Sequence, residues 1–174
     1  MGLKSVLYAK IEMKANKDVF YDVFTNKPHL ISTMCPLHVQ GFELLDGVIG
    51  TVGSKICWMY TFEGKKKISK QIIETIDHEK KVLTFKEFEG DVVDIYDNFK
   101  STLHIETKGE IDLISWTIEY ERPNENVPEL IYKPKITSTM VNWKTIGDAK
   151  RRKIFKIFQV DQSTSNQNLL KATY

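Results

Sequence analysis

The sequence is poor in cysteine and has no long apolar run. Its 174 residues include only Cys35 and Cys57, too few for a disulfide framework. It contains no Asn-x-Ser/Thr acceptor for N-glycosylation. No apolar stretch approaches the roughly 20 residues of a transmembrane helix, and residues 1–6 lack the apolar core of a signal peptide. These absences predict a cytoplasmic protein without a membrane span.

Residues for metal or cofactor chemistry are also scarce. His29, Cys35 and His38 lie close together in the sequence, but no fourth ligand stands at a zinc-site spacing. We interpret them as ordinary loop and core residues, and we expect no metal and no cofactor.

Gly47, Gly50 and Gly53 follow one another at a three-residue spacing, as in some phosphate-binding loops. Such loops need a strand before the glycines and a helix after them. Here residues 55–62 alternate between polar and apolar, which is typical of a strand. A turn between two strands is therefore favoured over an anion site, although the spacing alone leaves both open.

The net charge of +2 conceals an uneven distribution. Residues 144–174 hold seven Lys or Arg against two Asp, and the rest of the chain holds eighteen against twenty-one acids. The basic run 150–153 is short and has no stacking aromatics beside it, so we expect a solvated helix face and no nucleic acid partner. An interaction with another protein through this basic tail stays open.

Periodicity predicts one strand, two short helices, six more strands and a final helix. Alternation indicates a first strand over 3–13, and helical spacing indicates a helix that Asn16 caps and Pro28 ends. A second short helix spans 29–34. The later strands are expected at about 38–45, 53–62, 66–77, 81–89, 95–107 and 112–121, with turn residues between them.

One face of this sheet is predicted to be apolar and aromatic. Phe99, Leu103 and Ile105 share a face in one strand, and the residues from 114 to 120 at every second position share a face in the next. The helix pair and the C-terminal segment are the only elements that can cover this face.

Several segments, in this order and spacing, resemble the plant major latex protein and ripening-related group of the birch-pollen-allergen and class-ten pathogenesis-related superfamily. The resemblance covers residues 1 to about 130. It rests on the start MGL and on the segments PHLISTM (28–34), GVIGTVGSKICW (47–58), FEGD (88–91), YDNFK (96–100) and WTIEYE (116–121).

The resemblance implies an α+β, helix-grip (START-like) fold. In this fold a seven-stranded curved antiparallel sheet holds a long C-terminal helix, two short helices close one end, and an apolar cavity lies between sheet and helix. Gly47, Gly50 and Gly53 match the glycine-rich loop of the family, which does not imply nucleotide hydrolysis.

The resemblance also implies an intracellular binding or carrier protein for sterol-, hormone-, flavonoid- or alkaloid-like molecules, linked to plant defence or stress. We expect a monomer whose partner is a hydrophobic small molecule. The residues predicted to contact it are Trp58, Tyr60, Phe99, Trp116, Ile118, Tyr120 and His29.

A cavity enzyme of plant specialised metabolism, such as an isomerase, cyclase or condensing enzyme, is the alternative. Related enzymes place acids and bases inside the same cavity, where desolvation shifts their pKa values. The sequence offers Lys70, Glu74 and His29 for such a role, and we predict no catalytic residue.

The C-terminal part departs from the family pattern. Pro134 stands where the long helix is expected, and a helix-interior proline costs about 3 kcal/mol. We therefore expect a divergent or broken helix. One ligand-binding domain is predicted over 1–160, followed by a polar, disordered tail over 161–174.

Overall fold

The computed structural model describes residues 2–13, 17–34, 36–62, 64–130, 156–157 and 168–173. The predicted C-terminal helix, its break at Pro134 and the Asn16 cap lie outside these residues. Most of the predicted tail over 161–174 lies outside them too.

Seven strands and two helices make up the chain as far as residue 122, in the predicted order. In sequence they are β1 (Leu3–Met13), α1 (Lys17–Asn26), α2 (Leu30–Met34), β2 (Val39–Asp46), β3 (Lys55–Phe62), β4 (Lys65–Asp77), β5 (Val82–Gly90), β6 (Asp97–Lys108) and β7 (Ile111–Arg122). Two short strands follow in the C-terminal part, β8 (Lys156–Ile157) and β9 (Asn168–Thr173).

The seven strands form the predicted curved antiparallel sheet, in the order β2-β3-β4-β5-β6-β7-β1. Sequential strands are neighbours, and β1 closes the series by pairing with β7, with Leu7 opposite Ile118. On the other side of β1, β9 pairs in parallel, and β8 pairs with β9. The α+β fold class predicted from the sequence is confirmed for this part of the chain.

Helix α1 lies against the sheet through an apolar stripe that its sequence spacing predicts. Phe20, Tyr21 and Val23 are buried, whereas Val19 at the edge of the stripe is half exposed. Phe24 meets Trp116 of β7 edge to face, with ring centroids 6.0 Å apart. The helix ends at Asn26 because the following Lys27 precedes Pro28, and a residue before proline avoids the helical region.

The apolar interior contains separate clusters of buried side chains, two of which lie at opposite ends of the sheet. Toward one end, Leu83, Leu103, Ile105 and Ile114 are at most 2% exposed and pack with α1. Toward the other end, residues of β6 and β7 join the segment that follows β7 in a second cluster around Tyr96, Phe99 and Tyr120.

Neither helix in the described part of the chain is long and apolar enough to cross a membrane.

Candidate functional site

A cavity of about 270 Å³ lies between the sheet and the two helices. Most of its wall is apolar, and side chains from α1, α2 and strands β2 to β7 contribute to it. The apolar and aromatic lining residues include Phe24, Pro28, Ile31, Val39, Phe42, Ile49, Ile56, Trp58, Tyr60, Ile73, Phe85, Val92, Phe99 and Trp116.

Two tryptophans stand in this wall on different strands. Trp58 on β3 packs against Phe42, with ring centroids 4.8 Å apart. Trp116 on β7 packs against Phe24 of α1. Both indoles are only partly buried, so each keeps surface that a bound molecule can contact.

Four of the seven residues predicted to contact a ligand line this cavity: Trp58, Tyr60, Phe99 and Trp116. Ile118, Tyr120 and His29 do not line it. His29 lies exposed between the two helices. The geometry thus brings the first four together, and their contact with a ligand stays a prediction.

Tyr120 is engaged elsewhere. Its hydroxyl oxygen accepts a hydrogen bond of 2.8 Å from the backbone N–H of Leu130, and its ring packs edge to face against Tyr96. The Tyr96 hydroxyl in turn donates to the carbonyl oxygen of Pro128 at 3.1 Å. These two phenols therefore hold the chain that leaves β7.

The glycine-rich loop joins β2 to β3, as the alternation of residues 55–62 predicts. Two of its amides are already hydrogen-bonded: the Gly53 N–H donates to the Ile73 carbonyl of β4 at 2.8 Å, and the Thr51 N–H donates to the Val48 carbonyl within the loop. Gly47, Gly50 and Gly53 all have positive φ angles, and Gly50 lines the cavity. A strand follows the loop, so the loop does not lead into the helix N-terminus that phosphate-binding loops use.

Gly50 also lies close to helix α1. A β-carbon at this position would stand 2.5 Å from the carbonyl oxygen of Thr25, so the loop and the end of the helix pack backbone to backbone. Only glycine allows this approach.

Polar side chains form one patch of the cavity wall. Gln71 of β4 stands opposite Glu87 of β5, and its Nε2 donates to Glu87 Oε2 at 3.3 Å. Ser69 lies two residues before Gln71, and both Ser69 and Glu87 are more than nine-tenths buried. Tyr60 on β3 lines the same cavity.

Burial raises the pKa values of two groups in this patch, the Glu87 carboxyl and the Tyr60 phenol. It raises the pKa of Glu87, with a further contribution from the charge of Asp91, while the polar groups of Ser69 and Gln71 oppose the rise. Burial and the charges of Glu87 and Asp91 raise the pKa of Tyr60 to about 12. The phenol therefore stays protonated at neutral pH.

Tyr60 was predicted from the sequence, but Ser69, Gln71 and Glu87 were not, although the alternation of the strands contained a signal for them. Leu83, Phe85 and Glu87 stand at every second position of β5, so a strand with an apolar inner face carries Glu87 on that face. Ser69 and Gln71 share a face with Ile73 in the same way.

Lys70 and Glu74, the residues considered for catalysis, do not line the cavity. Lys70 pairs with Glu89, and Glu74 pairs with Lys100 at 2.8 Å. Within the described ranges no cluster of three or more His, Cys, Asp or Glu residues is placed to bind a metal ion.

A curved seven-stranded antiparallel sheet, two short helices and an apolar cavity between them define an α+β protein with an internal cavity. The chain belongs to the pathogenesis-related protein Bet v 1 family, whose model matches residues 3–160. Members of this family bind hydrophobic ligands.

Its curated relatives include MLP-like proteins of Arabidopsis thaliana. The chain is 40% identical to MLP-like protein 43 over 128 residues, which are 72% of this chain and 81% of the relative. It is 37% identical to MLP-like protein 34 over 70% of its own length. The match spans only 39% of MLP-like protein 34 and 38% of MLP-like protein 28, so the chain corresponds to about two fifths of these longer relatives.

Solved structures agree with this assignment. The crystal structure of major latex-like protein 151 from Panax ginseng is similar with a TM-score of 0.71 and 37% identity, over 74% of this chain and 86% of that one. Norcoclaurine synthase from Thalictrum flavum, in complex with dopamine and hydroxybenzaldehyde, has a TM-score of 0.60 at 18% identity, over 71% of this chain and 73% of that one. The second likeness concerns the fold alone.

Proposed function

We propose that this protein binds and carries hydrophobic small molecules in its cavity. The observation that carries the proposal is the apolar cavity of about 270 Å³ with two tryptophans in its wall. Ligand sites in proteins are typically concave and mostly apolar, with a few polar groups that orient the ligand. The polar patch around Glu87 supplies such groups.

The size of the cavity favours compact ligands. Typical small-molecule pockets have volumes of roughly 300–1,000 Å³, and this cavity lies just under that range. Among the expected classes, flavonoid-, alkaloid- and hormone-like molecules therefore fit better than a whole sterol. In keeping with the family, we propose a cytoplasmic, monomeric carrier that takes part in plant defence or stress responses.

Displacement of a fluorescent apolar probe tests the proposal. Anilinonaphthalene sulfonate should gain fluorescence with the folded protein and be displaced by flavonoid-like molecules. Replacing Trp116 by Phe should weaken binding by about 1 kcal/mol, the order of magnitude of one aromatic contact. Leu44→Ala is the matched control, because Leu44 is exposed on β2 and does not line the cavity.

Absence of probe binding by the folded protein would contradict the proposal. Native mass spectrometry of the protein purified from its own tissue is an independent test, because it identifies a retained ligand directly.

A cavity enzyme is the second candidate, and one observation favours it. Glu87 and Tyr60 are titratable groups in the cavity wall, and acid–base catalysis uses buried groups with shifted pKa values. An enzyme would convert a bound alkaloid precursor, and Glu87→Gln would abolish that turnover. A carrier would release the same molecule unchanged.

A further inference from the structure

The polar patch of the cavity, defined as Tyr60, Ser69, Gln71 and Glu87, contains hydrogen-bonding groups that the protein itself leaves unused. Oε1 of Glu87 and Oγ of Ser69 are buried, and neither atom has a partner at hydrogen-bond geometry in the described part of the chain, although the Ser69 side chain stands near enough to Glu87 to lower its pKa. Both side chains line the cavity. Buried polar atoms are normally paired, so each of these oxygens indicates a partner from outside the protein.

The unpaired atom of Glu87 is an acceptor. Gln71 already donates to the other carboxylate oxygen, Oε2, which fixes the orientation of the carboxyl group across the β4–β5 pair. The complementary group on a ligand is therefore a hydrogen-bond donor.

The basic residues of β4 near the patch are paired with other acids. No ion pair in the described part of the chain includes Glu87. On β4, Lys67 pairs with Asp91 at 3.0 Å, and Lys70, which stands between Ser69 and Gln71, pairs with Glu89. Burial raises the pKa of Glu87, and the charge of Asp91 adds to the rise.

A protonated amine satisfies this environment better than a hydroxyl group. An ammonium group has several donors and can bond to Glu87 Oε1 and Ser69 Oγ together. It also neutralises a carboxylate that burial otherwise disfavours, whereas a hydroxyl group leaves that charge in place. The rings of Tyr60 and Phe85 line the same cavity and are the kind of surface that attracts cations.

We propose that Glu87 and Ser69 bind the amino group of a compact ligand whose apolar body fills the rest of the cavity. This inference rests on the proposed function and specifies its ligand class as a hydrophobic amine.

Three probes with one apolar body test it: naphthylethylamine, naphthylethanol and naphthylacetic acid, titrated into the full chain by calorimetry near neutral pH. The wild-type protein should bind the amine at least about ten-fold more tightly than the alcohol, and the acid most weakly. In Glu87→Gln the preference for the amine should fall below about two-fold, while the alcohol binds as before.

Glu89→Gln is the matched control. It removes the same charge two residues further along β5, but Glu89 is exposed and does not line the cavity. This variant should keep the preference for the amine. Ser69→Ala should reduce the preference in part, and it serves as a second variant if Glu87→Gln fails to fold by circular dichroism.

Equal binding of amine and alcohol by the wild-type protein would overturn the inference. An equal loss of preference in Glu87→Gln and Glu89→Gln would overturn it too, because the preference would then reflect overall charge. If the apolar fluorescent probe binds but shows no competition from the amine, the inference fails and the carrier function stands. If that probe does not bind either, both fail.

Discussion

The hydroxyl group of Tyr21 forms a hydrogen bond of 2.9 Å with Nδ1 of His78, and this bond joins helix α1 to the turn between β4 and β5. Lys81, in the same turn, places its Nζ 4.8 Å from the centre of the Tyr21 ring and pairs with Asp18 at 2.9 Å. One turn of the sheet thus holds α1 through three kinds of contact: a hydrogen bond, a cation–π contact and an ion pair.

Tyr21→Phe should therefore reduce the free energy of unfolding by about 1 kcal/mol, the usual net contribution of one hydrogen bond. Urea denaturation measures this change. Tyr8→Phe is the control, because the Tyr8 side chain on β1 is exposed, and it should leave the free energy of unfolding almost unchanged. Equal effects of the two substitutions would show that the bond to His78 contributes nothing.

The glycine-rich loop offers a second comparison within one segment. Gly53→Ala should cost about 1–2 kcal/mol, because φ is +88° and an L residue is disfavoured there, although nothing lies within 4 Å of the added carbon. Gly50→Ala should cost about 1–3 kcal/mol more, because its β-carbon would meet the Thr25 carbonyl. Thermal unfolding of both variants gives the difference, and equal losses would contradict the packing of loop against helix.

The segment after β7 should depend on Tyr120. Tyr120→Phe removes the acceptor of the Leu130 N–H, so hydrogen exchange of that amide should become faster by about ten-fold. The amides of β6 should keep their rates. Unchanged exchange at Leu130 would mean that another group protects this amide.

Glu87 should make stability depend on pH in an unusual direction for an acid. Its pKa in the folded protein is raised above the ordinary 4.5, so the folded state binds a proton more tightly than the unfolded state. The stability associated with this group is complete below the ordinary pKa, and it falls as pH rises through the raised pKa.

Glu87→Gln should therefore gain stability relative to the wild-type protein as pH rises from about 4 to about 8. Urea denaturation at several pH values measures this difference. Glu110→Gln, in the exposed turn between β6 and β7, is the control for a simple change of charge. If the free energy of unfolding of the wild-type protein instead rises relative to that of Glu87→Gln as pH increases, the carboxylate is stabilised in the folded state.

Alternation and turn residues were sufficient to predict the seven strands and both short helices. Each of these elements has a period that burial on one face imposes on the sequence, as in β6, where Phe99, Leu103 and Ile105 are buried. The glycine-rich loop was also placed correctly, because the strand that follows it is visible in the sequence.

The contents of the cavity wall were harder to predict. The aromatic pattern predicts Trp58, Trp116 and Tyr120 as residues of the cavity wall. Trp58 and Trp116 line the cavity, whereas the Tyr120 hydroxyl accepts a hydrogen bond from the backbone N–H of Leu130. Glu87 was overlooked because a charged residue is normally assigned to the exposed face of a strand. Only the pairing of β4 with β5 shows that Gln71 stands beside it.

The cavity and the fully buried core lie on one sheet, and this has a consequence for how the chain can change over generations. Substitutions among Leu83, Leu103 and Ile105 act on folding directly, since these side chains are at most 2% exposed and do not line the cavity. Substitutions around the cavity act first on what is bound there. Such a sheet can acquire new ligands through changes in the cavity wall while the fully buried side chains preserve the fold, and Ile56, Ile73 and Phe85, which belong to both, link the two properties.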